Sequence, residues 1–237
     1  MNKFNTMTLM ENMGHEQVVF CQDKSVGLKA IIAIHNTQNG PSLGGCRFWN
    51  YKTYDEALVD VLKLSKGMTY KASISNLELG GGKAVLIGDP KELKSEALFY
   101  RLGEFIESLG GKYISAEDVN MTVDDINLIS KKTKYVVGGS GSKGSSGDPS
   151  PFTALGVFQG IKASLAFKKQ KESLQGLRMS IQGCGAVGEK LSRLLHNEGV
   201  QLILSDINSL KAETLAKELN AECCDPSEIH KVPVDVF

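Results

Sequence analysis

The stretch "LRMSIQGCGAVGEKLSRLLHNEGVQLILSD", residues 177–206, constrains the fold more than any other part of the chain. An apolar strand runs into Gly183-x-Gly185-x-x-Gly188, a helical pattern follows, and a second apolar strand ends at Asp206. That order of strand, spaced glycines, helix, strand and terminal acid is the signature of a dinucleotide-binding βαβ unit. Gly183 permits the tight turn, Gly185 lets a pyrophosphate approach the backbone, and Gly188 lets helix and strand pack closely. The turn through Cys184, Ala186 and Val187 then presents unpaired N–H groups of the helix start to the diphosphate. Asp206 can accept both ribose hydroxyls and would repel a 2′-phosphate, which predicts NAD rather than NADP as cofactor.

The first half of the chain alternates strand and helix after an initial run of strands. "EQVVFCQD" and "GLKAIIAIHNT" read as strands, and "GPSLGGCRFW" as a Gly-Pro turn entering a short one. "TYDEALVDVLKLSKGMTYKAS" places Ala57, Leu58, Val61, Leu62 and Met68 on one helical face, and Thr53 with Glu56 suits a reciprocal capping box. "KAVLIG" reads as a short buried strand, "SEALFYRLGEFIESLGG" as a helix closed by glycine, and "KYISAED" as a strand ending in two carboxylates. "TVDDINLISKK" reads as a helix with acid at its start and base at its end. Residues 138–147, "GGSGSKGSSG", are nearly all Gly and Ser and read either as a flexible linker or as a hinge. Ser150 can cap the helix that follows, with Pro151 at its first position. The expected fold class is α/β, with one domain over residues 1–135 and an incomplete Rossmann domain over 136–237.

Composition removes several function classes. Net charge is zero, from 27 basic and 27 acidic residues, so nothing argues for a nucleic-acid or anionic-membrane partner. No apolar run approaches a membrane span, and the N-terminal stretch lacks a signal-peptide core. Five cysteines without a C-x-x-C pair predict reduced thiols and a cytoplasmic setting. The four histidines, at 15, 35, 196 and 230, have no metal-ligand spacing, so no metal is expected.

The segment "LELGGGKAVLIGDP", residues 77–90, sets a lysine behind three glycines. A phosphate-binding loop would need Gly at Leu77 and Ser or Thr at Ala84, and neither is present. Lys83 must therefore serve some other chemistry.

With a nicotinamide-binding half in place, four further segments fall into a pattern: "GPSLGGCRFW", "LSKGMTYKASISNLELGGGKAVLIGDP", "ISAEDVNMTVDD" and "GSSGDPSPFTALGVF". In order and spacing they resemble the glutamate/leucine/phenylalanine/valine dehydrogenases, most closely the leucine dehydrogenase branch. The resemblance implies NAD-dependent oxidative deamination of an apolar, branched-chain L-amino acid to its 2-oxo acid, by a homo-oligomer whose first domain binds substrate. It implies that Lys83 is the base that activates water, its pKa depressed by desolvation in a closed cleft and by a neighbouring cation. Lys71 matches the lysine that holds the substrate carboxylate and would be that cation. Gly44 and Gly45 match the backbone at the same carboxylate, and Asp118 the aspartate that handles the amine proton. Leu43, Met68 and Ala116 match apolar pocket positions, and Thr153 a residue near the nicotinamide. Glycines 80–82 are expected to leave room for substrate beside Lys83.

The family's chains continue past "VPVDVF", so the resemblance also implies an apparent C-terminal truncation. Those last residues read as a buried parallel strand, which would form an exposed edge if nothing followed it. A chain ending there is expected to be inactive and prone to associate. The alternative reading is an inactive remnant serving as a binding or oligomerisation module.

Overall fold

The computed structural model describes residues 5–140, 147–170 and 172–237. The chain divides into two compact units, the first ending at Asp148 and the second beginning at Pro149.

The first unit opens with α1 (Thr6–Met13) and continues through β1 (Gln17–Asp23), β2 (Leu28–Asn36), β3 (Ser42–Trp49), α2 (Tyr54–Ile74) and β4 (Gly80–Ile87). It is completed by α3 (Pro90–Leu93), α4 (Glu96–Ser108), β5 (Tyr113–Glu117) and α5 (Val123–Ser130). Its sheet has the order β1-β2-β4-β3-β5, with β1, β2 and β4 antiparallel in turn and β3 parallel to both β4 and β5. Strand β2 is buried along nearly its whole length, which is why it reads as a continuous apolar run rather than an alternating one. On one face Ile31, Ala33 and Val85 meet Ala57, Leu58, Val61 and Leu62 of α2. On the other, Ile32, Ile34, Phe48 and Leu86 meet Leu98, Phe99, Leu102 and Ile106 of α4 and Ile126 and Ile129 of α5. The close approach of α4 to α5 depends on Gly103, where a Cβ would stand 2.8 Å from the Ile129 carbonyl.

Several local readings change. The Thr53 hydroxyl accepts from Glu56 N–H, but the Glu56 carboxylate accepts from Lys52 N–H, so the box expected there is not reciprocal. A reciprocal box forms instead at Thr122 and Asp125. Helix α1, which the sequence reading left unassigned, is capped by the Asn5 side chain and closed by Gly14 at φ 78°. The glycines at 80–82 lie inside β4, not in a loop before it.

Helix α2 also brings together two histidines far apart in sequence. The His15 and His35 rings meet edge to face at 4.8 Å. His35 Nε2 donates to the Met13 carbonyl and Nδ1 accepts from the Thr69 hydroxyl; buried His15 bonds through Nε2 to the Leu62 carbonyl and Ser65 hydroxyl, and its Nδ1 has no partner among the described residues. Burial, the His35 charge and the nearby Lys66 push the His15 pKa from an ordinary 6.5 down to about 4. Between those values the unfolded chain binds the extra proton, so stability is complete above pH 6.5 and is lost as pH falls toward 4. The full loss is at most about 3 kcal/mol. Urea unfolding at pH 7.5 and pH 4.5 should show a markedly smaller acid loss in His15→Gln than in the unmodified chain. Equal losses would remove His15 as the cause.

The second unit holds α6 (Ser150–Lys169), β6 (Arg178–Gln182), α7 (Ala186–Asn197), β7 (Gln201–Ser205), α8 (Ser209–Leu219) and β8 (Glu222–Cys223), followed by a 3-10 turn at Ile229–Lys231. The strands pair in parallel in the order β6-β7-β8 around a core of Leu191, Leu195, Leu202, Leu204, Leu215 and Ala216. Pro149, not Ser150, stands at the N-cap of α6; Ser150 is its first helical residue, so Pro151 is the second. The "VPVDVF" segment forms one parallel bridge, Val236 with Met179, instead of the strand expected there. The Gly-Ser run at 138–147 falls largely outside the described residues.

Candidate active site

The parallel trio β4-β3-β5 builds the polar centre of the first unit. Ala33 lies opposite Lys83 across the β2–β4 pair and belongs to the core beneath α2, so Lys83 emerges on that face. Asp118 follows directly on the end of β5, at the C-terminal edge where α/β sheets gather their chemistry. Lys83 Nζ lies 3.1 Å from Asp118 Oδ2, with the lysine side chain 6% exposed and the aspartate 25%. Arg47 Nε donates to the same Oδ2 at 3.0 Å, and Arg47 Nη1 to Asp60 Oδ2 at 3.0 Å. The Tyr51 hydroxyl donates to that Asp60 oxygen at 2.6 Å.

Burial pushes the Lys83 ammonium below its ordinary pKa; the Asp118 charge and hydrogen bond pull back without restoring it, and Arg47 adds to the depression. Burial pushes Asp118 up, but the Lys83 charge, its hydrogen bond and Arg47 outweigh this and hold the carboxyl below the usual range. The arrangement thus combines a firmly ionised carboxylate with a lysine eased toward its neutral form. The sheet and α2 supply that desolvation within the first unit.

The other first-unit residues singled out from the sequence lie on β3, on β5 and along α2. A Cβ at Gly45 would stand 2.5 Å from the Glu117 carbonyl and 2.8 Å from Asp118 Cβ, and Gly45 pairs with Ala116 across β3–β5. A Cβ at Gly44 would strike the Gly82 carbonyl and lie 3.2 Å from Met68 Cγ. Leu43 pairs with Ile114 and Gly81, and Leu43, Met68 and Ala116 are all half-buried. Lys71 is exposed, in the last turn of α2 and one helical turn beyond Met68. It is not the cation that bears on Lys83; Arg47 is.

The triple glycine also has a different reason from the one expected. A Cβ at Gly80 would overlap the Asn36 carbonyl, one at Gly81 would overlap Thr69 N and Oγ1, and one at Gly82 would stand 2.7 Å from Ser42 Oγ and Tyr113 Cδ2. The protein's own atoms fill the space: Gly81 lets α2 lie directly on the strand that holds Lys83, Gly80 admits the backbone at Asn36, and Gly82 admits the Ser42 and Tyr113 side chains. Glu117 has one carboxylate oxygen, Oε2, buried without a hydrogen-bond partner among the described residues. Burial, with Asp148 and Asp125 nearby, pushes its carboxyl up.

The sequence reading missed Arg47, Tyr51 and Asp60. A usable signal was present: Gly45, Arg47 and Trp49 alternate along one strand and therefore share a face. Asp60 could not be found that way, because its partner lies on a different element.

In the second unit the Gly183–Gly188 turn has the geometry its motif demands. Gly183 sits at φ 106°, a Cβ at Gly188 would collide with the Gly183 carbonyl, and open space surrounds the Cβ position of Gly185. Gly185 caps α7 without a side chain, leaving the first-turn N–H groups at Ala186 and Val187 without a side-chain partner from the cap. Asp206 Oδ2 accepts from Cys184 N–H at 2.7 Å and Oδ1 from Asn208 N–H at 2.8 Å, binding the strand end to the glycine turn. Those backbone bonds, Asn208 foremost, lower its pKa against some burial. Each oxygen keeps a lone pair for a further donor. The Thr153 hydroxyl donates to the Pro149 carbonyl in the first turn of α6.

Residues 15–135, just over half of the chain, match the Glu/Leu/Phe/Val dehydrogenase dimerisation domain. The chain belongs to the Glu/Leu/Phe/Val dehydrogenase family. It is 50% identical over 228 residues to the leucine dehydrogenases of Thermoactinomyces intermedius and Geobacillus stearothermophilus, covering 96% of this chain and 62% of each of theirs. Among solved structures it is similar to L-tryptophan dehydrogenase from Nostoc punctiforme, with a TM-score of 0.70 and 44% identity over 98% of this chain and 65% of that one. The chain thus spans somewhat under two thirds of the length of these relatives. Among the described residues no helix is long and apolar enough to cross a membrane.

Proposed function

We propose that this family member takes part in NAD-dependent oxidative deamination of apolar L-amino acids, the first unit carrying the amino-acid chemistry and the second the cofactor. The observation that carries this reading is the buried Lys83 paired with half-buried Asp118 beside the glycine backbone at 44 and 45. Asp118, ionised, takes a proton from the substrate amine, because hydride can leave Cα only when the nitrogen lone pair is free. Lys83 in its neutral form takes a proton from the water that attacks the resulting imine; ammonia then leaves and the 2-oxo acid remains. Lys71 and the N–H groups of Gly44 and Gly45 hold the substrate carboxylate, while Leu43, Met68 and Ala116 contact its side chain. Bound NAD would supply the hydride acceptor. The glycine turn, the uncapped start of α7, Asp206 and Thr153 are the residues that would hold it, and the space at Gly185 supports the fit. Homo-oligomers in a reducing cytoplasm complete the proposal.

The test is L-leucine-dependent NADH formation, measured on this chain and on a chimera completed after Phe237 with the corresponding segment of the Geobacillus stearothermophilus enzyme. Turnover in the chimera, with leucine, valine and isoleucine ahead of glutamate, is expected, since Leu43 and Ala116 offer no cation to a second carboxylate. Glutamate turning over faster than leucine would contradict the substrate class. The tryptophan dehydrogenase relative makes aromatic substrates part of the same panel. A folded, NAD-binding chimera without turnover would favour the binding or oligomerisation reading.

Cofactor choice is tested separately. Asp206→Asn combined with Ile207→Arg, at a side chain 98% exposed beside it, should move the NADP-to-NAD ratio of kcat/KM at least about tenfold toward NADP. An unmodified protein that already prefers NADP would overturn the role given to Asp206.

A further inference from the structure

We propose that Arg47, anchored by Asp60 and Tyr51, is a positioning residue that occupies Oδ2 of Asp118 and so leaves Oδ1 as the oxygen that meets the substrate amine. The inference rests on the dehydrogenase reading above for its chemistry, but its geometry is independent of it. One carboxylate oxygen receives both cations, Arg47 Nε at 3.0 Å and Lys83 Nζ at 3.1 Å. Oδ1 has no hydrogen-bond partner among the described residues, although the side chain retains some exposure. A carboxylate held through one oxygen by two donors cannot rotate without breaking both bonds, so the direction of its free oxygen is fixed.

Arg47 is in turn held at its other end. Its Nη1 sits on Asp60 Oδ2, and the Tyr51 hydroxyl on that same oxygen fixes Asp60 from the segment leading into α2. The guanidinium therefore links β3, α2 and the end of β5, and its planar fork serves two carboxylates at once. A lysine could match its charge but not that geometry.

The groups facing these residues are few. Lys83 faces Asp118, Arg47 and Cys46; Asp118 faces Lys83 and Arg47; Arg47 faces Asp118, Asp60 and Tyr51. Burial pushes the Cys46 thiol up to about 12, so it stays neutral at working pH. Arg47 is then the positive charge that works against protonation of Lys83, while Asp118 favours it. Positioning and charge can be separated by substitution.

Three variants test the proposal: Arg47→Gln, Arg47→Lys and Asp60→Asn. The ammonium of Lys83 is titrated by NMR in the 237-residue chain, and kcat and KM are measured against pH in the chimera. Arg47→Gln should raise the Lys83 pKa and move the acid limb of kcat/KM to higher pH. It should lower kcat by about a hundredfold, the cost of a misplaced reacting group. Arg47→Lys should restore the depressed titration but not kcat, because the charge returns without the double anchor. Asp60→Asn leaves Asp118 untouched and should lower kcat by a smaller factor, which keeps the test open if Arg47→Gln does not fold. An unshifted Lys83 titration in Arg47→Gln, or full kcat in both Arg47→Lys and Asp60→Asn, would overturn the proposal. A chimera with no turnover at all, in which Lys83 still shifts in Arg47→Gln, would sink the dehydrogenase reading and leave the Arg47 contact standing.

Discussion

Lys83→Ala in the completed chimera should cost two to four decades in leucine-dependent turnover while leaving NAD binding within about twofold of the parent. The rate loss is that expected for removing one positioned base. Folding should survive, because Asp118 keeps Arg47 as a partner when the lysine is removed and no buried charge is stranded. Cofactor affinity should survive because the glycine turn and Asp206 lie in the other unit. The readouts are single-turnover rates with saturating leucine and fluorescence titration with NADH. A variant retaining more than about a tenth of parental turnover would take Lys83 out of the chemistry.

Gly81→Ala should have the largest effect on stability. A methyl group there meets Thr69 N and Oγ1 and lies 2.5 Å from the Ser65 carbonyl, all on the α2 turn pressed against the strand. Helix backbone cannot swing aside as a flexible side chain can, so the cost should reach at least about 3 kcal/mol. Gly67→Ala, in the same helix two residues before Thr69, is the control. Nothing lies within 4 Å of its Cβ position, and replacing a helix-interior glycine should stabilise by about 0.5–1 kcal/mol. Urea midpoints of the two variants should move in opposite directions. A Gly81→Ala chain as stable as the parent would mean that the strand can give way, and that Gly81 is there for some reason other than helix packing.

Local chemistry made much of this legible in the sequence. The turn from Gly183 to Gly188 could be read because its demands are local: Gly183 takes a positive φ, and Gly188 has no room for a Cβ against the Gly183 carbonyl. The bond from Cys184 N–H to Asp206 was not foreseen. Lys83 and Asp118 stood out through their segments, and the fold brings them to 3.1 Å. What escaped was pairing between distant elements. Arg47 became significant only when the β3–β5 register set it beside Asp118, and Asp60 only when α2 crossed that face. The same limit explains Lys71, whose assignment as the neighbouring cation depended on which side of a helix end it occupied. The triple glycine was read as room for substrate, but the approaching groups are the protein's own: α2 at Gly81, Asn36 at Gly80, and Ser42 and Tyr113 at Gly82.

The fold itself, before any ligand binds, should ease Lys83 toward its neutral form against an ionised Asp118. The direct measurement is the titration of the Lys83 ammonium in the 237-residue chain, followed by NMR of dimethylated lysines and assigned by Lys83→Arg. A midpoint clearly below the ordinary 10.5 of a lysine is expected, because burial outweighs the adjacent carboxylate. Asp118→Asn should lower it further by removing the one close negative charge. A Lys83 midpoint at or above that of the exposed lysines would contradict the account, since a fully charged ammonium paired to Asp118 cannot accept a proton from water.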